Sequence, residues 1–136
     1  MSKWTHVAGI IRIDHLPIAK ISPPLTEEAA KAFLMENAPS GSEGGLTFYA
    51  AKTQVVTPSG FEALWGSLSF TGDLRDFDDA KKVEEWIKNF FQKLEASYRV
   101  IMRQAAISID VEYGLCTVMT WNPRTDNWIT IDVPLP

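Results

Sequence analysis

The chain has 136 residues, 46% hydrophobic and 11% aromatic, with 13 Lys and Arg against 17 Asp and Glu for a formal net charge of −4. That length and apolar content predict a single domain, residues 1–136, whose core needs no metal or disulfide staple. The acidic balance, with no cluster of Lys and Arg, excludes a general duplex-binding surface, while two or three arginines suffice for a small anionic ligand.

Trp4 to Asp14 alternates as a strand. Val7, Gly9, Ile11 and Ile13 share one face; Trp4, His6, Ala8, Ile10, Arg12 and Asp14 share the other. That second face is mixed, and Trp, His and Arg on it suit a ligand or partner better than bare water. Pro23 and Pro24 then interrupt regular pairing. Thr26 is placed to cap a short helix, with Glu27 and Glu28 in its first turn and an apolar stripe of Ala30, Phe33 and Leu34, ending near Asn37.

Beyond the segment PSGSEGG, Leu46 to Val56 and Phe61 to Asp73 read as two strands joined at Thr57 to Gly60. Leu64, Leu68 and Phe70 share one face of the second; Trp65, Ser67, Ser69 and Thr71 share the other. The segment GDLRDFDDAKKVEEWIKNFFQKLEASYR gives the strongest helical period, with Val83, Trp86, Ile87, Phe90 and Leu94 in register and Asp76 or Asp78 as the expected cap. Three strands follow: one alternating Ile107, Ile109, Val111 and Tyr113 and ending at Gly114, then Leu115 to Trp121, then Trp128 to Val133 after the turn NPRTDN.

This order predicts an α+β domain of the ferredoxin-like, split βαββαβ plan. Two helices cover one face of an antiparallel sheet, and a C-terminal meander extends or wraps that sheet. The open face then has to pack on the meander or on another subunit. MSKWTHVAG carries no signal-peptide pattern and no stretch of the chain reaches the length of a membrane span, so a soluble, cytoplasmic protein is expected.

Several chemistries lack their residues. The lone Cys116, in a strand, makes no internal disulfide and is expected buried, in keeping with a reducing compartment. His6 and His15 do not have helical ligand spacing, so no metal is expected. No G-x-S-x-G elbow appears for a nucleophilic serine. Asp73, Asp76, Asp78 and Asp79 precede a helix, where capping explains them. The expectation is a non-enzymatic protein with no cofactor.

Two segments remain as candidates. PSGSEGG lacks the P-loop lysine, yet Ser40, Gly41, Ser42 and Gly44 expose successive amides of the kind that bind oxyanions. The alternative is a solvated connection whose glycines supply positive φ. In TGDLRDF, Arg75 sits between Asp73 and Asp76, as a local ion pair or as a cation presented to a ligand. Arg12, His6 and Trp65 on the open face complete the expected ligand-binding set.

WTHVAGIIRID, PSGSEGG and GDLRDF before a Trp-bearing amphipathic helix together resemble small bacteriophage-encoded accessory proteins. The resemblance implies a role against host defences, acting from the host cytoplasm. Two readings follow from it: a homo-oligomer that sequesters a small phosphorylated, nucleotide-type ligand, or an acidic inhibitor that meets a basic host protein. A small hydrolase is a third.

Overall fold

The computed structural model describes residues 2–15, 25–56, 58, 62–98 and 100–134, with the side chains of 53–56 and 62–65 outside that description. Pro23, Pro24 and most of the expected Thr57–Gly60 turn lie outside the described residues.

The elements run β1 (Trp4–His15), α1 (Glu27–Met35), β2 (Leu46–Val56), β3 (Glu62–Arg75), α2 (Ala80–Ser97), β4 (Val100–Val111), β5 (Leu115–Asn122) and β6 (Asn127–Pro134). They form an α+β structure whose six-stranded sheet has the order β2-β3-β1-β4-β5-β6. Every neighbouring pair is antiparallel. β3 therefore lies between β1 and β2, and β1 takes β3 on one side and β4 on the other.

Alternation along each strand sorts the side chains. Val7, Ile11, Leu68, Phe70, Ile107, Ile109 and Met119 are buried on one face. Both helices pack there. α1 starts where Thr26 Oγ1 accepts from the Ala29 amide at 3.0 Å, and it buries Ala30 and Leu34. α2 buries Val83, Trp86, Ile87, Phe90, Phe91 and Leu94, a stripe that stabilises by on the order of 10 kcal/mol before entropy is subtracted. Trp86 stacks edge-on against Phe70 at 5.1 Å and Phe48 at 6.2 Å. Its indole N–H also donates to the Leu34 carbonyl at 2.9 Å, tying the two helices together. Gly9 is required beneath this layer, because a Cβ there would meet the Phe70 ring and Ile107 Cγ1.

Two expectations need correction, and one pair of alternatives is decided. The cap of α2 is Asp79, and its side chain makes no capping bond. Asp76 instead turns the chain at φ 55 and takes the Ser42 hydroxyl on its carboxylate. Of the two arrangements expected for the C-terminal meander, extension is the one found: β5 and β6 pair in the plane of the sheet, and among the described residues no helix covers the open face. Cys116 is half-buried on that face beside Ser108, because its parity in β5 opposes that of Thr117 and Met119.

Among the described residues no helix is long and apolar enough to cross a membrane.

Candidate functional site

The uncovered face gathers its polar groups at the end where β1 begins and β3 and β4 finish. Register puts Trp4 opposite Arg75, and His6 between Asp73 of β3 and Asp110 of β4. His6 Nδ1 lies 2.6 Å from Asp73 Oδ1, and Nε2 lies 3.5 Å from Glu112 Oε1. Glu112 is fixed in turn, since its Oε2 accepts from the Trp4 amide at 3.2 Å. The hydrogen bond to Asp73 is the main reason that the His6 pKa is raised above its ordinary 6.5, against a smaller opposing effect of burial. The imidazole side chain is 45% exposed, so this pair sits on a wet surface.

Arg75 sits at the next open-face position of β3 beyond Asp73. Its Nη1 meets Glu43 Oε1 at 2.7 Å, and its Nε and Nη2 donate to Ser2 Oγ at 3.1 and 2.9 Å. Asp76 Oδ2 lies farther away, at 4.0 Å. The Glu43 hydrogen bond is the main cause raising its pKa.

The glycine-rich segment is zipped onto the same strand end. The Ser42 amide donates to the Arg75 carbonyl at 2.9 Å, and the Arg75 amide donates to the Glu43 carbonyl at 3.0 Å. Ser42 Oγ donates to Asp76 Oδ2 at 2.8 Å. Two of the glycines have a steric reason. A Cβ at Gly41 would enter the backbone of Arg75. One at Gly44, where φ is +77, would enter the Asp73 carbonyl, with Trp4 Cζ3 only 3.8 Å away. Trp4 therefore lies against the loop.

Of the residues expected from sequence, His6, Ser42, Gly44 and Arg75 come to this end, with Gly41 and the exposed Ser40 in the loop beside them. Arg12 does not. It pairs with Ser67 and Gln104 at the other end of β1, about 26 Å from Trp4 along the strand. Trp65 lies at that far end in β3, and its side chain is outside the described residues. Asp73, expected beside Arg75, is instead the partner of His6.

Glu112 and Ser2 were missed. Glu112 and Ser2 are remote from their partners in sequence, and only the register of antiparallel strands joins them. Glu43 carried a signal of its own, as the one charge inside a glycine-rich segment.

Carboxylates Glu43, Asp73, Asp76 and Glu112 thus surround the Arg75 guanidinium and the His6 imidazole. An imidazole oriented by Asp73 through Nδ1 donates from Nε2 when protonated and accepts there when neutral, so it can carry a proton. Among the described residues no group of three or more His, Cys, Asp or Glu is spaced to hold a metal ion.

No protein-family model and no curated protein matches the sequence. The fold is similar to the solved structure of a phage SAM lyase in complex with S-methyl-5′-thioadenosine. The match has a TM-score of 0.39 and 11% identity, and it covers 93% of this chain and 90% of that one. A likeness of this degree carries over neither a reaction nor a site residue. It does correct one expectation: the protein of similar structure is an enzyme, so a non-catalytic nature is not maintained for this chain.

Proposed function

We propose that the chain binds a small phosphorylated ligand of nucleotide type at the sheet end formed by Arg75, His6, Trp4 and the Ser40–Gly45 loop. The observation that carries this reading is the Arg75–Glu43 pair. Glu43 is 62% exposed, and its carboxylate occupies the guanidinium face at 2.7 Å. A carboxylate so exposed is held weakly and is displaced by a stronger, bidentate oxyanion. His6, whose pKa is raised chiefly by its hydrogen bond to Asp73, supplies when protonated a second donor one row along the same face. Asp73 and Glu112 suit sugar hydroxyls, which donate to carboxylates, and the Trp4 indole offers a stacking surface. The sequence resemblance to phage accessory proteins supports capture of a nucleotide signal as the biological role.

Calorimetry and thermal melting against a panel of nucleosides and nucleotides test this. A ligand at about a hundred times its dissociation constant stabilises by about 2.7 kcal/mol. That raises Tm by roughly 9 °C for 136 residues. Arg75→Ala and His6→Ala each remove the shift with the fold retained, and binding strengthens below the raised His6 pKa. Mass measurement of the recovered ligand reads whether it is held or converted. Heat from no nucleotide, or binding indifferent to Arg75→Ala, sinks the reading.

A further inference from the structure

We propose that the uncovered sheet face is the contact surface for a second copy of the chain, packed face to face about a two-fold axis that runs across the strands. The middle of that face is apolar or small. Ile10 is 50% exposed, Ile129 44% and Ile131 56%. Register aligns them with smaller neighbours in two adjacent rows: Ala8, Ser108, Val118 and Ile131 in one, and Ile10, Ala106, Thr120 and Ile129 in the next. A contiguous apolar patch of this kind on a sheet marks an association surface.

Three features select a second copy as the occupant. The first is shape. An axis lying between the two rows sets Ile10 over the partner's Ala8 and Ile131 over the partner's Ile129, so the larger β1 side chain of these rows meets the smaller and the β6 isoleucines meet one another. Inner faces of sandwiched sheets interdigitate in this way at a spacing of about 10 Å.

The second is area. Six strands about 4.8 Å apart, each contributing the length from Trp4 to Arg12 in β1, give a face of roughly 29 by 26 Å, or about 750 Å². A standard interface buries about 800 Å² on each partner.

The third is charge. Asp73, Asp110 and Glu112 lie at one end of the face around His6, and Arg12 and Arg103, the latter bridged to Asp14, lie at the other. An axis across the strands sets Arg12 over the partner's His6, with the partner's Asp73 and the partner's Asp110 on either side of it. An axis along the strands would stack carboxylate on carboxylate, which costs association free energy. The two-fold operation also makes the contact self-closing, so it stops at a dimer. Arg75 ends β3 opposite Trp4 and the glycine-rich loop lies beyond it, at the rim of this contact, with His6 in its outer rows; the inference rests on the isoleucine rows and not on the ligand reading.

Sedimentation velocity across a wide concentration range is the test, with circular dichroism to confirm that each variant is folded. The wild-type chain is expected as a dimer. Ile10→Glu and Ile131→Glu, at exposed positions that leave the core intact, are each expected to weaken it by roughly tenfold or more by burying an unpaired charge. Arg12→Glu and Asp110→Arg each weaken it, and the double variant restores it. A monomer at every concentration, a trimer or higher ring, or a dimer indifferent to Ile10→Glu and Ile131→Glu overturns the proposal. Failure of the double variant to restore association overturns the axis. Loss of nucleotide binding in a chain that still dimerises bears only on the ligand reading.

Discussion

Replacing Trp86 by Phe tests how the helix layer is held to itself. Trp86 is 5% exposed, and its N–H donates to the Leu34 carbonyl at 2.9 Å. That carbonyl is one of the last four of α1, which no amide of the same helix can reach. Ala32 finds the Glu36 amide and Met35 finds the Ala38 amide, whereas Leu34 takes its bond from α2. Trp86→Phe leaves a buried acceptor unsatisfied, at about 1–3 kcal/mol. It also opens space beside Phe48 and Phe70, for about 1 kcal/mol more. The expected total is roughly 2–4 kcal/mol, read as a fall in the urea midpoint at unchanged slope. With about 2.1 cal/mol/K of unfolding entropy per residue, the 136-residue chain should lose roughly 7–14 °C in Tm. Hydrogen exchange should show the amides of α1 opening before those of α2. A loss below about 0.5 kcal/mol would refute the idea that Trp86 serves as the C-terminal cap of α1.

Two further outcomes are expected. In an NMR titration His6 should change charge above pH 6.5, chiefly through its Asp73 hydrogen bond, and His15 below it, through burial and then the Lys52 charge. The stabilisation from His6 is thus complete below pH 6.5 and fades as pH rises through its folded pKa, whereas that from His15 is complete above 6.5 and fades as pH falls. Asp73→Asn should bring His6 down, and a His6 midpoint that ignores that change contradicts the geometry. In the loop, Gly44→Ala should cost about 2 kcal/mol or more by denaturant melting, because φ is +77 and the Cβ meets the Asp73 carbonyl. Gly45→Ala, with nothing within 4 Å, should cost under about 0.5 kcal/mol; equal costs would contradict the conformation of the loop.

The element order was legible because period is a local property. Val83, Trp86, Ile87, Phe90 and Leu94 recur at the helical spacing, and the strands β1 and β4 alternate, so burial on one face follows whatever the partners are. The Thr26 cap is equally local, a hydroxyl three residues before the amide it bonds. The cap of α2 was misread at Asp76 and Asp78 because several acids compete in that segment. The Ser42 hydroxyl, more than thirty positions away, draws Asp76 into the loop instead.

The amino-acid order by itself determined which residues are strand, helix and core, that one sheet face differs from the other, and that His6, Arg75 and the glycine segment carry polar chemistry. Which of these groups meet was decided only by the tertiary structure. His6 and Asp73 are 67 positions apart and Trp4 and Glu112 are 108 apart. Antiparallel register, a single choice made across the whole sheet, brings them together and carries Arg12 to the opposite end. A shift of that register by one residue would turn each of these side chains to the other face without altering any local signal in the sequence.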